Sequence, residues 1–406
     1  MVIGPTSVLG NLKKVIGTGR IPIKSYGIKF SIGVHAKIEY RSYAYAADKA
    51  DWNDPKFKNY LVIFDESHNL NNPKLKMYKR MRDSRFENVH KILMMTATPI
   101  SDSYDDLHVS AEILNKKTYR GNITLKHIVP LFKRKVSVWE KSQGDPSFPT
   151  RVGRNSPTWI NISPKTAQNL FLTRPNVKTS RKFISNRNVS NSKFKKVLEK
   201  IQSHKKVIVY FDQVSHEIPK FKRFLEAHGI GYSQITGDTQ KRENVKENFV
   251  VNPLKKVMII SKAGEAGVNF RNVTQVHFMN IPYSHTTNMQ VIGRANRRGN
   301  TSKGAFEVFR WGYNNPHSTA VPSTLSHEYK KNTMTFKSPD RLAYTKLLSS
   351  KVIFRNTIDA LRVASIENYA SNSPNKSINI TPPKKKKTPP LKTLPKKPRK
   401  TPIRRQ

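Results

Sequence analysis

The 406-residue chain contains no cysteine. That excludes disulfides, cysteine-ligated zinc and thiol catalysis, and it fits a reducing compartment. No run of 18 apolar residues occurs, so the sequence offers no membrane-spanning helix. Met1-Val2-Ile3-Gly4-Pro5-Thr6 places no basic cluster ahead of its apolar residues, and no signal peptide is expected. Acidic residues are scarce, 27 against 74 Lys and Arg, for a net charge of +47. A surface this basic implies a polyanionic partner, nucleic acid foremost. An acidic membrane surface is the alternative, but no amphipathic anchor stands out. Apolar residues make up 36% of the chain, against about 45–50% in ordinary globular domains. Part of the chain therefore lies outside any core.

That part is read at the C-terminus. Residues 371–406 hold twelve Lys and Arg, eight prolines and no acid. Such a segment cannot bury a core and is expected to be disordered. It suits a nucleic-acid clamp or a nuclear address, or else a solvated solubility arm. Without it, 62 basic residues still face 27 acidic ones, a charge of +35, so the folded part is basic in its own right.

The remaining length allows two or three domains. Short β-branched runs alternate with helical patterns, the mark of α/β units around parallel sheets. Strands are predicted at 58–64, 91–96, 206–211, 230–235, 257–261, 276–280 and 305–309. Helices are predicted at 217–228, with Gly229 as the stop signal, at 288–298, and within 340–370. Residues 72–84 are basic and helix-compatible. Residues 100–190 read as a helical insertion plus linker. No repeat with a period of 20–50 residues is present.

Two motifs carry the chemistry. Leu61-Val62-Ile63-Phe64-Asp65-Glu66-Ser67-His68 is an apolar run that ends in two carboxylates. A buried strand delivers acids in this way to a Mg²⁺-nucleotide at its carboxyl end. Asp65 would hold the metal through water, and Glu66 would orient and deprotonate an attacking water. Alone, the pattern also fits an acidic strand end that caps a turn. The second motif is Gln290 to Arg298, about 225 residues later. Gly293 sits beside Arg294, and Arg294 and Arg297 share one helix face. Guanidinium groups there suit a bidentate grip on a phosphoryl group. An exposed basic helix is the bland alternative, although a glycine inside a helix costs about 1 kcal/mol.

Two weaker signals lie between them. Thr96-Ala97-Thr98-Pro99 ends a second apolar strand, where hydroxyls at i and i+2 point the same way and can bond the neighbouring strand's acid. Ser261-Lys262-Ala263-Gly264-Glu265-Ala266-Gly267-Val268-Asn269-Phe270 is a loop whose glycines allow close backbone approach to phosphate.

In this order the set resembles superfamily 2 helicases, and within them the Swi/Snf-like branch. Gly4-Pro5-Thr6-Ser7 through Lys13 resembles motif Ia, with Leu12 near the branch's usual Trp. Asp65-Glu66-Ser67-His68 matches motif II and Thr96-Ala97-Thr98 motif III. Lys206 to Phe211 resembles motif IV, and Ile235-Thr236-Gly237-Asp238-Thr239 the following turn. Residues 263–269 match motif V, and Gln290 to Arg298 motif VI. Phe132 to Val138, Gly144-Asp145-Pro146 and Phe148-Pro149 resemble the linker of poxvirus nucleoside triphosphatase I and of the poxvirus early transcription factor small subunit.

The resemblance implies two RecA-like parallel-sheet domains, the first incomplete, with ATP and Mg²⁺ as cofactors. It places an ATP-binding domain at 1–120, an insertion and linker at 121–190, a helicase C-terminal domain at 191–315 and a helical extension at 316–370. Asp65, Glu66, Arg294 and Arg297 would be catalytic, with Asp65 the metal ligand. His68, Gly267, Gln290 and Gly293 would face the nucleotide. Pro5, Thr6, Thr96, Thr98, Gly237, Asp238 and Asn269 would face nucleic acid, DNA ahead of RNA. A viral setting linked to transcription implies the cytoplasm, a virus factory or the virion, with the nucleus open through the tail.

One more absence bears on activity. The sequence G-x-x-x-x-G-K-[ST], whose amides and lysine cradle nucleotide phosphates, occurs nowhere. Gly17-Thr18-Gly19-Arg20-Ile21-Pro22-Ile23-Lys24-Ser25 lacks the second glycine and carries a proline where a free amide is needed. Loss of even one preorganised donor costs about 10²–10³ in rate. The expectation is a helicase without its front end, inactive alone and open to a complementing segment or an RNA polymerase partner. The alternatives are a non-enzymatic nucleic-acid-binding protein and an interaction subunit of a viral transcription machine.

Overall fold

The structure is a computed structural model. It describes residues 1–5, 9, 38–71, 86, 88–138, 151–152, 156–161, 191–201, 206–212, 214–265, 270, 272–296, 306–314 and 339–367. The expectations for Thr6, 72–84, Gly267, Asn269, Arg297 and the tail fall outside these residues. Among the described residues no helix is long and apolar enough to cross a membrane.

The α/β expectation holds, with two sheets in which every strand pairing is parallel. The first contains β1 (Val2–Gly4), β2 (Tyr40–Ser42), β3 (Leu61–Asp65) and β4 (Lys91–Met95), in the order β2-β1-β3-β4. β3 starts at Leu61, not Lys58. Pro55–Asn59 coils into a 3-10 turn instead, started by the Asp54 carboxylate, which accepts from the Lys56 amide at 2.9 Å. Val62 and Phe64 point into a core with Ile3, Trp52, Phe57 and Phe86. The Trp52 ring lies 4.7 Å from that of Phe86 at a tilt of 48°, and its indole N–H donates to Ala46 O at 2.9 Å. Short helix α1 (Tyr43–Asp48) closes this side.

The other face of this sheet is open beside β4. Side chains alternate along a strand, and here Ile92 and Met94 pack while Leu61, Leu93 and Met95 remain 48%, 46% and 38% exposed. Parallel sheets are ordinarily buried on both faces.

The second sheet meets that rule. It contains β5 (Arg151–Val152), β6 (Thr158–Asn161), β7 (Lys206–Tyr210), β8 (Gly231–Ile235), β9 (Lys255–Ile260), β10 (Val273–Phe278) and β11 (Phe306–Asn314). Their order is β5-β11-β10-β7-β9-β8, with β6 also on β11. In β7, Val207 and Val209 face one core while Ile208 and Tyr210 face the other, and all four are buried. Strands β5 and β6 lie where a linker is expected. Thr158-Trp159-Ile160 is strand-forming chemistry, and Gly312 of β11 makes room for it. A Cβ at Gly312 would stand 2.6 Å from the Trp159 ring.

Helices α2 (His108–Asn115) and α3 (Leu125–Phe132) follow the first sheet. Helices α4 (Asn191–Lys200), α5 (Val214–Ala227), α6 (Arg242–Val251) and α7 (His285–Ala295) belong to the second unit. Ile218, Phe221 and Leu225 of α5 recur on one helix face and fill the core. The helix ends before Gly229, whose φ of +66° terminates it at low cost.

Helix α8 (Pro339–Ala364) joins the two units. At 26 residues it is about 39 Å long. Residues 343, 347, 350, 354, 357, 361 and 364 recur in steps of four and three, which gives one continuous stripe. Ala343 and Leu347 pack with Ile281 of the second unit. Ala360, Leu361 and Ala364 pack with Ile100, Ile128 and Phe132 of the first. Between them the buried Ser350 hydroxyl donates to Ser101 O at 2.6 Å and accepts from the His285 amide at 2.9 Å.

Candidate functional site

The C-terminal ends of β3 and β4 deliver the acidic motif. Tyr43 OH donates to Asp65 O at 2.8 Å and fixes the strand's last residue. Glu66 then turns left-handed, with φ 53° and ψ 48°. That conformation costs a non-glycine residue about 1 kcal/mol or more. Local bonds offset it: the Glu66 amide donates to Asp65 Oδ1 at 3.1 Å, and Asn69 Nδ2 donates to Glu66 O at 2.8 Å. The turn separates the two acids and directs His68 toward β4.

Burial, followed by the charge of Glu66, raises the Asp65 carboxyl above its ordinary range. A nearby divalent cation would reverse this. Mg²⁺ takes one or two carboxylates and fills its remaining positions with water and phosphate oxygens. Asp65 at the strand end fits that demand.

His68 is a junction. Its Nδ1 lies 3.0 Å from Thr96 Oγ1, 3.3 Å from Thr98 Oγ1 and 3.4 Å from Glu66 Oε2. The threonine hydroxyls thus turn to His68 and not to the Asp65 carboxylate, because the left-handed turn at Glu66 places the imidazole over them. The ring's other nitrogen, Nε2, lies 3.2 Å from Gln290 Nε2 of α7. The same amide donates to Thr98 Oγ1 at 3.2 Å. The ring thus bridges the two units, with Nε2 toward Gln290 and Nδ1 toward Thr96 and Glu66.

Helix α7 begins at His285, three residues before the expected start, because the Ser284 hydroxyl caps it by accepting from the Thr287 amide at 3.1 Å. A second bond joins α7 to the first unit: Thr286 Oγ1 donates to Ile100 O at 2.5 Å. Arg294 follows Gln290 by one turn and is buried, and its carbonyl accepts from the Phe270 amide at 3.0 Å. Gly293 leaves open space where a Cβ would stand.

The structure thus brings together Asp65, Glu66, His68, Thr96, Thr98 and Gln290, with Arg294 on the same helix. Thr98 is buried beneath Gln290. Pro5 follows β1, where Gly4 packs against Asp65. Gly237 and Asp238 are exposed in the turn after β8, closed by the Thr236 amide donating to Thr239 Oγ1 at 2.9 Å. Sequence reasoning missed Tyr43, Thr286 and Ser350, whose roles depend on contacts distant in the chain. It also missed Asn71, which donates to Pro99 O at 2.7 Å and ties the two strand exits together. Its Asn and Pro are both turn formers, but nothing local pairs them.

Comparison with known proteins gives the same direction. Residues 191–299 match the model of the helicase conserved C-terminal domain. The second unit is helicase-like. A putative ATP-dependent RNA helicase, L538, of Acanthamoeba polyphaga mimivirus is 25% identical over 311 residues, 63% of this chain and 69% of that protein. Together the two matches support the helicase superfamily and a helicase-type, nucleic-acid-related function. Among solved structures, the C-terminal part of the Fun30 ATPase domain aligns at 17% identity with a TM-score of 0.29. It covers 41% of this chain, and the chain spans 54% of that one. A likeness at this level adds nothing on fold or function.

Proposed function

We propose that this chain is the motor core of an ATP-dependent superfamily 2 translocase that tracks duplex DNA. The observation that carries the reading is the Gln290 contact. One amide of the helicase-like unit touches both His68 and Thr98, the residues that follow the acidic strand and its neighbour. Asp65 is suited to hold Mg²⁺, which would neutralise charge on the nucleotide phosphates. Glu66 would orient and deprotonate a water. Arg294 comes from the opposite unit, and with Arg297, three residues on in the sequence, it would make the phosphate-gripping pair. His68 and Gln290 would report the state of one unit to the other.

Duplex DNA is preferred because the Swi/Snf-like resemblance points to tracking. The mimivirus relative is named an RNA helicase, which makes RNA the second reading. The poxvirus-like features and the basic tail extend the proposal to a viral transcription setting. The chain by itself is proposed to turn over no ATP, because its 406 residues hold no G-x-x-x-x-G-K-[ST].

Equilibrium titration of the full chain with blunt duplex DNA and with single-stranded RNA tests the substrate. Tighter duplex binding is expected, tighter RNA binding would move the reading to RNA, and binding to neither would overturn it. ATP hydrolysis by the chain alone, abolished in Glu66→Gln, would overturn the statement about turnover.

A further inference from the structure

We infer that the end of the first unit opposite the acidic motif is a second contact surface for the phosphate backbone of nucleic acid, built from Lys116, Lys117, Lys133 and Arg134. That the partner is nucleic acid rests on the reading above. The surface itself stands on three observations.

The first is charge. Between Ile113 and Val138 the sequence holds seven Lys and Arg and no Asp or Glu. The fold draws two runs of them together. Asn115 Nδ2 donates to Leu131 O at 3.0 Å, which sets the end of α2 against the end of α3. Lys135 reaches back to donate to Leu114 O at 3.3 Å and to the Asn115 side chain. It caps the carbonyl end of α2, where a cation is favoured, so its charge serves the fold. Lys116, Lys117, Lys133 and Arg134 flank it and are exposed. Acids of α2 and of the end of α8 are engaged elsewhere. Glu112 is buried and accepts from the Tyr119 amide at 2.9 Å, Asp359 pairs with Arg362 at 3.0 Å, and Glu367 accepts from the Ser137 hydroxyl.

The second is the backbone. Lys116 and Arg134 have φ of 49° and 57°. In this left-handed region a long side chain costs more than glycine does. Lys116 ends α2, at a position that helices most often give to glycine. Neither turn needs a cation to form. Two strained positions that both carry cations on one surface point to a use for the charge.

The third is place. Lys116 Nζ donates to Val89 O at 3.2 Å, just ahead of β4, whereas Asp65 pairs with Met95 at the far end of that strand. β4 alone holds these ends roughly 13 Å apart, so a phosphate gripped here is not one held by the acidic motif. Helix α8 also ends here. The Arg134 amide donates to Ala364 O and the Ile366 amide to Val136 O, each at 2.8 Å. The chain that follows Glu367 carries the twelve cations of residues 371–406, so it is tethered beside the same surface. Three exposed ammonium groups and a guanidinium meet backbone phosphates and read no base.

Two double variants of the full chain test the inference. Lys116→Gly with Arg134→Gly removes two charges and relieves two left-handed residues. Lys117→Gln with Lys133→Gln removes two charges and leaves the backbone alone. Urea midpoints should hold or rise in the first and hold in the second. Each variant should bind the blunt duplex about tenfold more weakly at low salt, with a log–log salt slope shallower by about 2. Unchanged affinity and slope in either variant overturn the surface and leave the motor reading standing. Weaker binding that tracks a lowered midpoint overturns it too, as does a loss confined to binding of phosphatidylserine vesicles. A wild-type chain that binds no nucleic acid refutes the motor reading and the surface together.

Discussion

Gln290 and His68 lie 222 positions apart in the chain and meet at 3.2 Å. The contact links the helicase-like helix α7 to the turn that follows the acidic strand β3. Its hydrogen bonds are partly buried, so removing either side chain has a measurable cost.

Gln290→Ala should lower stability by about 0.5–1.5 kcal/mol, the net worth of an ordinary hydrogen bond. In a double-mutant cycle with His68→Ala, urea denaturation should give a coupling of about 1 kcal/mol. Additive effects would show that the two units do not hold this contact in solution.

Lys193 of α4 and Asp340 of α8 form a buried ion pair at 3.1 Å. Lys193 also donates to Met279 O at 2.7 Å and sits over the Tyr313 ring, while Asp340 accepts from the Tyr313 amide at 2.8 Å. Lys193→Met strands a carboxylate and should cost about 3–5 kcal/mol. Adding Asp340→Asn removes the stranded charge and keeps an acceptor for Tyr313. Denaturant midpoints should show at least half of the loss recovered; no recovery would mean the charge is not the cause.

Stability should fall in mild acid. Burial, followed by the charge of Lys200, pushes His277 down to about 3, and Trp311 Nε1 donates to its Nδ1 at 3.2 Å. Burial, followed by Lys351, Arg310 and Arg151, pushes His285 down to about 4. The unfolded chain takes up these protons near pH 6.5 while the folded chain refuses them. Their contribution is therefore complete above pH 6.5 and declines as pH falls toward the folded values. His277 alone should lose about 2 kcal/mol between pH 7 and pH 5. Urea unfolding of wild type and His277→Phe across this range should give a shallower decline in the variant. Parallel declines would refute the assignment.

Residues 371–406 add twelve cations. If about half of them meet phosphates, the log–log salt slope of duplex binding should steepen by roughly 5 relative to a chain ending at Tyr369. Equal slopes would leave the tail as a solubility arm or nuclear address.

The parts legible in the sequence are those whose burial is two-sided. β7 and β9 appear as unbroken apolar runs because both faces of the second sheet are covered, and β3 announces itself by the carboxylate that ends it. β1 and β2 are three residues each, too short for any period to show. β5 and β6 look like linker in the sequence because their partner, β11, lies about 150 residues further on. The expected β11 at 305–309 extends to Asn314 because β6 pairs along its second half. The acids, threonines and glutamine were identifiable as residue types. That His68, and not Asp65, receives the threonines was not, since it depends on one left-handed residue, Glu66.

Helix α8 gives this protein a particular order of assembly. Phe132 precedes Leu361 by 229 residues, yet the two share one cluster. During synthesis the first unit emerges from the ribosome with Ile100, Leu107, Ile128 and Phe132 lacking their final cover. It must wait for nearly the whole chain before α8 arrives, and such long-range closure is slow and exposed to aggregation. A nascent chain stalled before Pro339 would therefore be a client for chaperones, however complete its first sheet.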